Sequence, residues 1–306
     1  MTKEKERKMT GLTFYIVDVF AETKYTGNQL AVVRNAAALS QEHMQKIAKE
    51  MNYSETTFIL SDEPKNNGYD VRIFTPAAEV PFAGHPTLGT AFVIHREIAD
   101  KAAQTINLNL KVGQIPVTLQ KSGLSENILW MKQIEPEFGE TLDSGILSDV
   151  LGIDRNQIDD RFPILEVSTG LYALIVPLKT REAIKQIRID LNRYYTLIEN
   201  ISSKLILVFS PETYHRENDL NVRVFGDYYQ VPEDPATGSA NGCLAGYLVK
   251  QRYFENEKIN IRVEQGYEIG RPSLLHLWAE ERNGQIEVNV GGKVIMVAKG
   301  QLSSIE

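Results

Sequence analysis

Two stretches decide the fold: Val71-Arg72-Ile73-Phe74 followed by Phe82-Ala83-Gly84-His85-Pro86-Thr87, and Val222-Arg223-Val224-Phe225 followed by Asp234-Pro235-Ala236-Thr237-Gly238-Ser239-Ala240. Each reads as a β-branched strand, a proline-bearing loop and the entry to a small-residue helix. Set in register at Gly84 and Gly238, the copies lie about 150 residues apart, which predicts two related halves facing one another across a cleft, the commonest place for a small-molecule site.

The helices that follow are unusual in composition. From Pro86 to Arg96, and again from Gly238 to Lys250, small and apolar residues occupy nearly every face until a basic end. A helix without a polar face is surrounded by other structure. The expected fold is therefore α/β (α+β), with two pseudo-symmetric domains, each a curved sheet or barrel wrapped around a central apolar helix. At 306 residues the chain is long enough for two cores. The expected divisions are a tail at 1–10, an N-terminal domain at 11–124 and a C-terminal domain at 125–297, with 298–306 packing back on the first. The boundary is expected in the polar run Lys121 to Asn127.

Elsewhere, Ser40 is an expected N-cap for a surface helix carrying Met44, Ile47, Ala48 and Met51 on one stripe. Helical stretches are expected at Leu147 to Leu151 and at Thr180 to Ile201, the latter broken near Arg188. Gly291-Gly292 reads as a hairpin turn. Ser54-Glu55-Thr56-Thr57-Phe58-Ile59 aligns with Ser168-Thr169-Gly170-Leu171-Tyr172-Ala173, each leading into an apolar strand, which sets Glu55 opposite Thr169.

Composition excludes several classes. With 33 basic and 40 acidic residues the net charge is −7, so no positive field favours nucleic acid or an anionic membrane. No run approaches the roughly 18 apolar residues of a membrane span, and the charged segment Met1 to Lys8 lacks the core of a signal peptide. A cytoplasmic protein is the expectation. The single cysteine, Cys243, rules out an intrachain disulfide and a multi-thiolate metal site, and it reads as core. His43, His95, His215 and His276 form no ligand pattern, so no metal is expected. Neither a dinucleotide fingerprint nor a P-loop is present.

Three residues carry possible chemistry. Glu55 stands between hydroxyl residues before an apolar strand, where burial would raise its pKa and suit it to general acid/base work; the alternative is a solvated Glu at a helix end. His85 sits at a helix entry that favours anions and can bind a carboxylate or move a proton; the alternative is a structural histidine. Asp234, with the donors of Thr237, Gly238 and Ser239, resembles an anion-cradling nest, against the reading of a plain Asx-Pro turn with a Ser cap. Glu79 reads as a loop charge paired at the surface.

Taken together, Asp18-Val-Phe-x6-Gly27-Asn28-x-Leu-Ala-Val, Ser54-Glu55-Thr56, Phe82-Ala-Gly-His-Pro-Thr-Leu-Gly89 and Asp234-Pro-Ala-Thr-Gly-Ser-Ala240 resemble the phenazine biosynthesis PhzF-like family, in consistent order over about residues 12 to 300. The resemblance implies a diaminopimelate epimerase-like fold and a cofactor-free isomerisation of a dihydro-hydroxyanthranilate. It implies Glu55 as the proton-transferring acid/base, with His85 and Asp234 as its catalytic partners. Asn28, Ser54, Gly84, Gly170, Thr237, Gly238 and Ser239 become the expected substrate-binding residues, for a small molecule bearing a carboxylate. A homodimer is expected from family habit. Related epimerases oppose two cysteines across one carbon, whereas Ala83 and Thr237 stand at those positions here. Two rivals remain: a racemase or epimerase of amino or hydroxy acids without catalytic cysteines, and a non-catalytic ligand-binding protein on the same scaffold.

Overall fold

The computed structural model describes residues 12–122 and 126–303. The expected N-terminal tail, residues 1–10, lies outside the described residues.

Strand pairing repeats itself. In the first half Leu12–Val19 runs antiparallel to Asn28–Arg34, which runs parallel to Thr56–Ile59, which runs antiparallel to Tyr69–Phe74. In the second half Ile164–Ser168, Tyr172–Pro177, Leu205–Ser210 and Leu220–Gly226 pair in the same order and directions. Each half then makes a short strand (Glu79–Val80, Val231–Asp234), a central helix (Gly84–Glu97, Gly238–Lys250) and a strand parallel to the fourth (Thr105–Leu110, Lys258–Gln265). Antiparallel strands Gly113–Ser122 and Glu126–Lys132 follow in one half, Ser273–Arg282 and Gln285–Gly292 in the other.

The halves exchange their last strands. Val294–Leu302 returns to pair with Leu12–Val19, and Glu137–Leu142 pairs with Ile164–Ser168. Glu126–Lys132 and Gln285–Gly292 also pair with each other, so hydrogen bonds run continuously between the halves. The polar run at 121–127 holds the end of a strand pair, Lys121 opposite Asn127 and Ser122 opposite Glu126, and residues 123–125 lie outside the described residues.

The central helices are enclosed as their composition demands. From Gly84 to Ile94 every residue except Phe92 is buried, and from Ala240 to Val249 all are. One core cluster packs both helices against strands of both halves, from Tyr15 and Leu30 to Val263 and Val290. Outer helices cover the other sheet faces. Gln41–Met51 is capped by Ser40, whose hydroxyl accepts from the His43 N–H. The stretch 180–201 splits into Arg181–Gln186 and Leu191–Glu199, and Ser144–Leu151 packs beside them.

The structure also corrects two sequence expectations. Thr56 pairs with Phe74, and Ile206 pairs with Phe225, so the position equivalent to Glu55 is Leu205 and not Thr169. Thr169 and Gly170 instead match Val19 and Gly27, because Val17 opposite Leu30 corresponds to Val167 opposite Ala173. Gly27 and Gly170 both have positive φ, at 70° and 111°. Gly291 and Gly292 lie within a strand, not a turn. The Trp130 ring covers the first and the Phe20 ring the second, leaving no room for a Cβ.

The repeated Val-Arg-x-Phe element has a structural cause. Arg72 forks onto Glu79 at 2.7 Å through both bonds and lies 5.1 Å from the Phe74 ring centre. Arg223 does the same with Glu233, at 2.9 and 2.6 Å, and lies 4.8 Å from the Phe225 ring. Glu79 is thus no surface loop charge: its side chain is 5 % exposed, and the hydrogen bonds from Arg72 and Lys111 hold its carboxyl at about 2 against the opposing effect of burial. Each pair staples the fourth strand to the short strand that leads into the central helix.

Breaking such a pair strands a buried charge. Arg223→Met is expected to cost about 3–5 kcal/mol in urea denaturation, since Glu233 loses its partner and the Ile184 carbonyl loses a donor. Arg72→Met is expected to cost less, because Lys111 still neutralises Glu79.

Candidate active site

Both central helices begin without a side-chain cap, so their first N–H groups are free to face a ligand. They meet nearly end to end. A Cβ on Gly84 would lie 3.4 Å from the Ser239 nitrogen and 3.6 Å from the Gly238 Cα, in ordinary van der Waals contact, so the two helix starts come close together.

Glu55 reaches this junction from the first half. The helix Gln41–Met51 stops at Asn52, in left-handed geometry, and Tyr53-Ser54 turns the chain so that Glu55 immediately precedes strand Thr56–Ile59. Within that strand Thr57 is hydrogen-bonded to Thr90 of the central helix at 2.8 Å. This ties Glu55 to the helix carrying His85. The Glu55 Oε2 and His85 Nε2 atoms stand 3.3 Å apart, off the alignment a hydrogen bond needs, and both are buried without a hydrogen-bond partner.

Electrostatics separates the two groups. Burial, and then the nearby Asp234, raises the Glu55 carboxyl to about 8. Burial lowers His85 to about 3, with a hydrogen bond to the Gln29 backbone working against it. At neutral pH, then, His85 is neutral and Glu55 largely holds its proton. A neutral ring that donates to the Gln29 backbone through Nδ1 presents Nε2 as an acceptor toward Glu55.

Asp234 comes from the second half, at the end of strand Val231–Asp234. By register its counterpart in the first half is Val80, since Ile73 pairs with Val80 and Val224 with Asp234. Its Oδ1 accepts from Asn28 at 2.9 Å and its Oδ2 from the Thr237 hydroxyl at 2.5 Å. Burial raises its pKa, while the two hydrogen bonds pull the other way. Asn28 donates again, to the Ala236 carbonyl at 3.0 Å, so its amide nitrogen is engaged within the protein.

The remaining expected residues divide. Gly84, Thr237, Gly238 and Ser239 lie at the junction, and Ser54 is half-buried beside Glu55. Thr237 is the N-cap position itself, but its hydroxyl serves Asp234 and not the helix. Gly170 is exposed in the turn equivalent to Gly27. The neighbouring Thr169 reaches inward, its hydroxyl donating to the Ser239 carbonyl at 3.4 Å and lying 3.6 Å from the sulfur of buried Cys243. Burial pushes that thiol up to about 11.

Two supports carry no sequence signature. Gln265, fully buried, donates to the Asp234 carbonyl at 2.8 Å and to the Thr237 hydroxyl at 3.0 Å, and accepts from the Thr237 N–H. Asn241 donates to Gln265 at 2.8 Å and to the Thr237 carbonyl at 3.0 Å. Gln265 meets its partners 24 to 31 residues away, and Asn241 joins it to the Thr237 carbonyl one helical turn back, so no short motif points to either. Surface hollows at Asp154 and Lys179, about 430 Å³, and at Lys132 and Arg282 are lined by solvated charges remote in sequence from these groups. Among the described residues no group of three or more His, Cys, Asp or Glu side chains is placed to hold a metal ion. No helix among them is long and apolar enough to cross a membrane.

The fold of two repeated halves is that of the epimerase-like isomerases, as comparison with known proteins shows. A hydroxyproline epimerase from Agrobacterium vitis covers 95 % of this chain, and the chain 90 % of it, at TM-score 0.60 and 8 % identity, a likeness of fold alone. The chain belongs to the PhzC-PhzF family of phenazine biosynthesis-like proteins, matched over residues 17–300. A Bacillus anthracis phenazine biosynthesis protein of the PhzF family superposes with TM-score 0.89 over 97 % of this chain and 100 % of its own, at 24 % identity. The trans-2,3-dihydro-3-hydroxyanthranilate isomerase of Pseudomonas fluorescens is 34 % identical, covering 94 % of this chain and 98 % of its own. The protein is an isomerase of this family.

Proposed function

We propose that this isomerase moves a proton between two carbons of a small carboxylate-bearing ring resembling dihydro-hydroxyanthranilate, without a cofactor, with Glu55 as the acid/base. One observation carries the reading: Glu55 Oε2 and His85 Nε2 are buried and unpartnered, facing one another beside two uncapped helix starts. Buried polar atoms are ordinarily satisfied, so such a pair calls for a ligand. A carboxyl near 8 can both take and return a proton at working pH.

The balance is simple. Ionised Glu55 removes a proton from one ring carbon, and the C–H electron pair delocalises into the ring π system as a carbanion. Protonated Glu55, its side chain 18 % exposed and so open to exchange with solvent, then delivers a proton to a different carbon, leaving a neutral enol that tautomerises to a ketone. Nothing is oxidised or reduced, so the step needs no electron carrier. Asp234 and His85 orient the ring, and the free N–H groups at Gly84, Gly238 and Ser239 suit the substrate carboxylate. The site lies between the halves.

The asymmetry supports isomerisation over inversion. Racemisation at one carbon needs bases on opposite faces, and the two helix N-cap positions hold Ala83 and Thr237, neither of which is a base. The test is turnover of trans-2,3-dihydro-3-hydroxyanthranilate in deuterated solvent after chelator treatment, beside a panel of amino and hydroxy acids. Product from the ring acid with deuterium at the new C–H supports the reading. Exchange at the α-carbon of an amino acid, with inversion and no action on the ring acid, sinks it.

A further inference from the structure

The two halves differ by one insertion. Gly27 follows Val19 only after Phe20–Thr26, whereas their equivalents Thr169 and Gly170 are adjacent. The extra segment crosses to the second half. The Leu274 N–H donates to the Phe20 carbonyl at 2.9 Å, the Ala21 N–H to the Lys293 carbonyl at 3.3 Å, and Lys293 pairs with Glu22 at 2.6 Å. The Phe20 ring fills the space beside Gly238 and Gly292. Phe20 and Tyr25 hold φ of 59° and 70°, a conformation that bulky residues adopt only when their surroundings impose it.

Arg271 binds the root of this strap. Its Nη2 donates to Asp18 Oδ1 and to the Thr26 carbonyl, both at 2.8 Å, and its Nε donates to the Gly27 carbonyl at 3.0 Å. Asp18 is 2 % exposed, and its other oxygen accepts from the Tyr25 N–H. The next residue after Gly27 is Asn28, which holds Asp234. The loop bearing Arg271 begins at Gly266, whose neighbour Gln265 holds the Asp234 backbone, and a Cβ on Gly266 would strike the Pro235 carbonyl. One loop therefore grips Asp234 from both sides.

We propose that Arg271 is a positioning residue for the active site: by fixing Asp18 and the carbonyls of Thr26 and Gly27 it seats Asn28 on Asp234 and holds the second-half carboxylate opposite Glu55. The proposal rests on reading Glu55 and Asp234 as one site. Glu55 is faced by His85 from its own half and by Asp234 from the other; Asp234 is faced by Asn28 and Thr237, with Glu233 nearby.

The experiment is a carbon-13 NMR titration of the Glu55 carboxyl in the full-length protein, with melting temperature as a parallel reading. Wild type should titrate near 8. Arg271→Ala should lower the midpoint by about one unit as Asp234 is released, and Arg271→Lys, which keeps charge and stem but not the fork, should lower it by less. The Arg271→Ala, Asn28→Ala double variant should titrate like Asn28→Ala alone. A merely structural arginine would lower the melting temperature and leave the midpoint in place. That result in a folded Arg271→Lys or Arg271→Ala protein, or additive shifts in the double variant, overturns the proposal while leaving the Glu55 reading standing. An ordinary wild-type midpoint near 4.5 overturns both.

Discussion

Glu55→Gln is expected to reduce turnover by on the order of 10³-fold or more while making the protein more stable at alkaline pH. The two effects share one cause. The folded protein holds the Glu55 proton up to about pH 8, whereas the unfolded chain releases it near 4.5. Between those values the folded state binds more protons than the unfolded state, so wild-type stability falls as pH rises. Glutamine has nearly the same shape and no charge to bury. It should match the wild type below about pH 4 and exceed it by a few kcal/mol above pH 8. Thermal melts across pH check the second effect, and steady-state rates the first. Loss of both activity and stability would mean that Glu55 is a structural group.

Asp234→Asn is expected to lower turnover by on the order of 10²-fold and to move the acidic limb of the rate profile to lower pH. The direction follows from charge. Asp234 is the second cause, after burial, of the raised Glu55 carboxyl, so removing its charge should lower the Glu55 midpoint toward, but not to, 4.5. More Glu55 is then ionised at neutral pH, yet it is a weaker base, and the substrate loses an orienting group. The hydrogen bonds also suffer, because an amide cannot accept from both Asn28 and Thr237 as the carboxylate does. A profile of kcat/KM against pH measures the shift. An unchanged limb would separate Asp234 from Glu55 electrostatically.

The repeat at Gly84 and Gly238 was legible because it is written locally: strand, proline loop and small-residue helix each leave a pattern. The central helices were legible for the same reason, since only an enclosed helix tolerates apolar residues on every face. The Glu55 alignment failed where local likeness competed with register. Ser54 and Ser168 both precede apolar strands, but the pairing of Thr56 with Phe74 and of Ile206 with Phe225 makes Leu205 the true counterpart. The correction keeps the asymmetry, because a leucine can neither take nor return a proton. Gly291-Gly292 misled for another reason: paired glycines suit a turn, yet here they make room for the rings of Trp130 and Phe20.

Arg271, Gln265 and Asn241 left no trace in the sequence. Arg271 acts across the two halves, on Asp18 and the Thr26 and Gly27 carbonyls, while Gln265 and Asn241 act within the second half through contacts that exist only once it folds. Conversely, the Arg72 and Arg223 pairs show that the most visible part of the repeat serves structure. In the proposed reaction the chemistry falls where the halves differ: Glu55 against Leu205, His85 against Ser239, and Asp234 against Val80.

That division is tested most directly by following the proton. With trans-2,3-dihydro-3-hydroxyanthranilate in deuterated solvent, the wild type should give product labelled at the newly formed C–H, and Glu55→Gln should give neither product nor label. Labelled product from Glu55→Gln at a rate near that of the wild type would contradict the account.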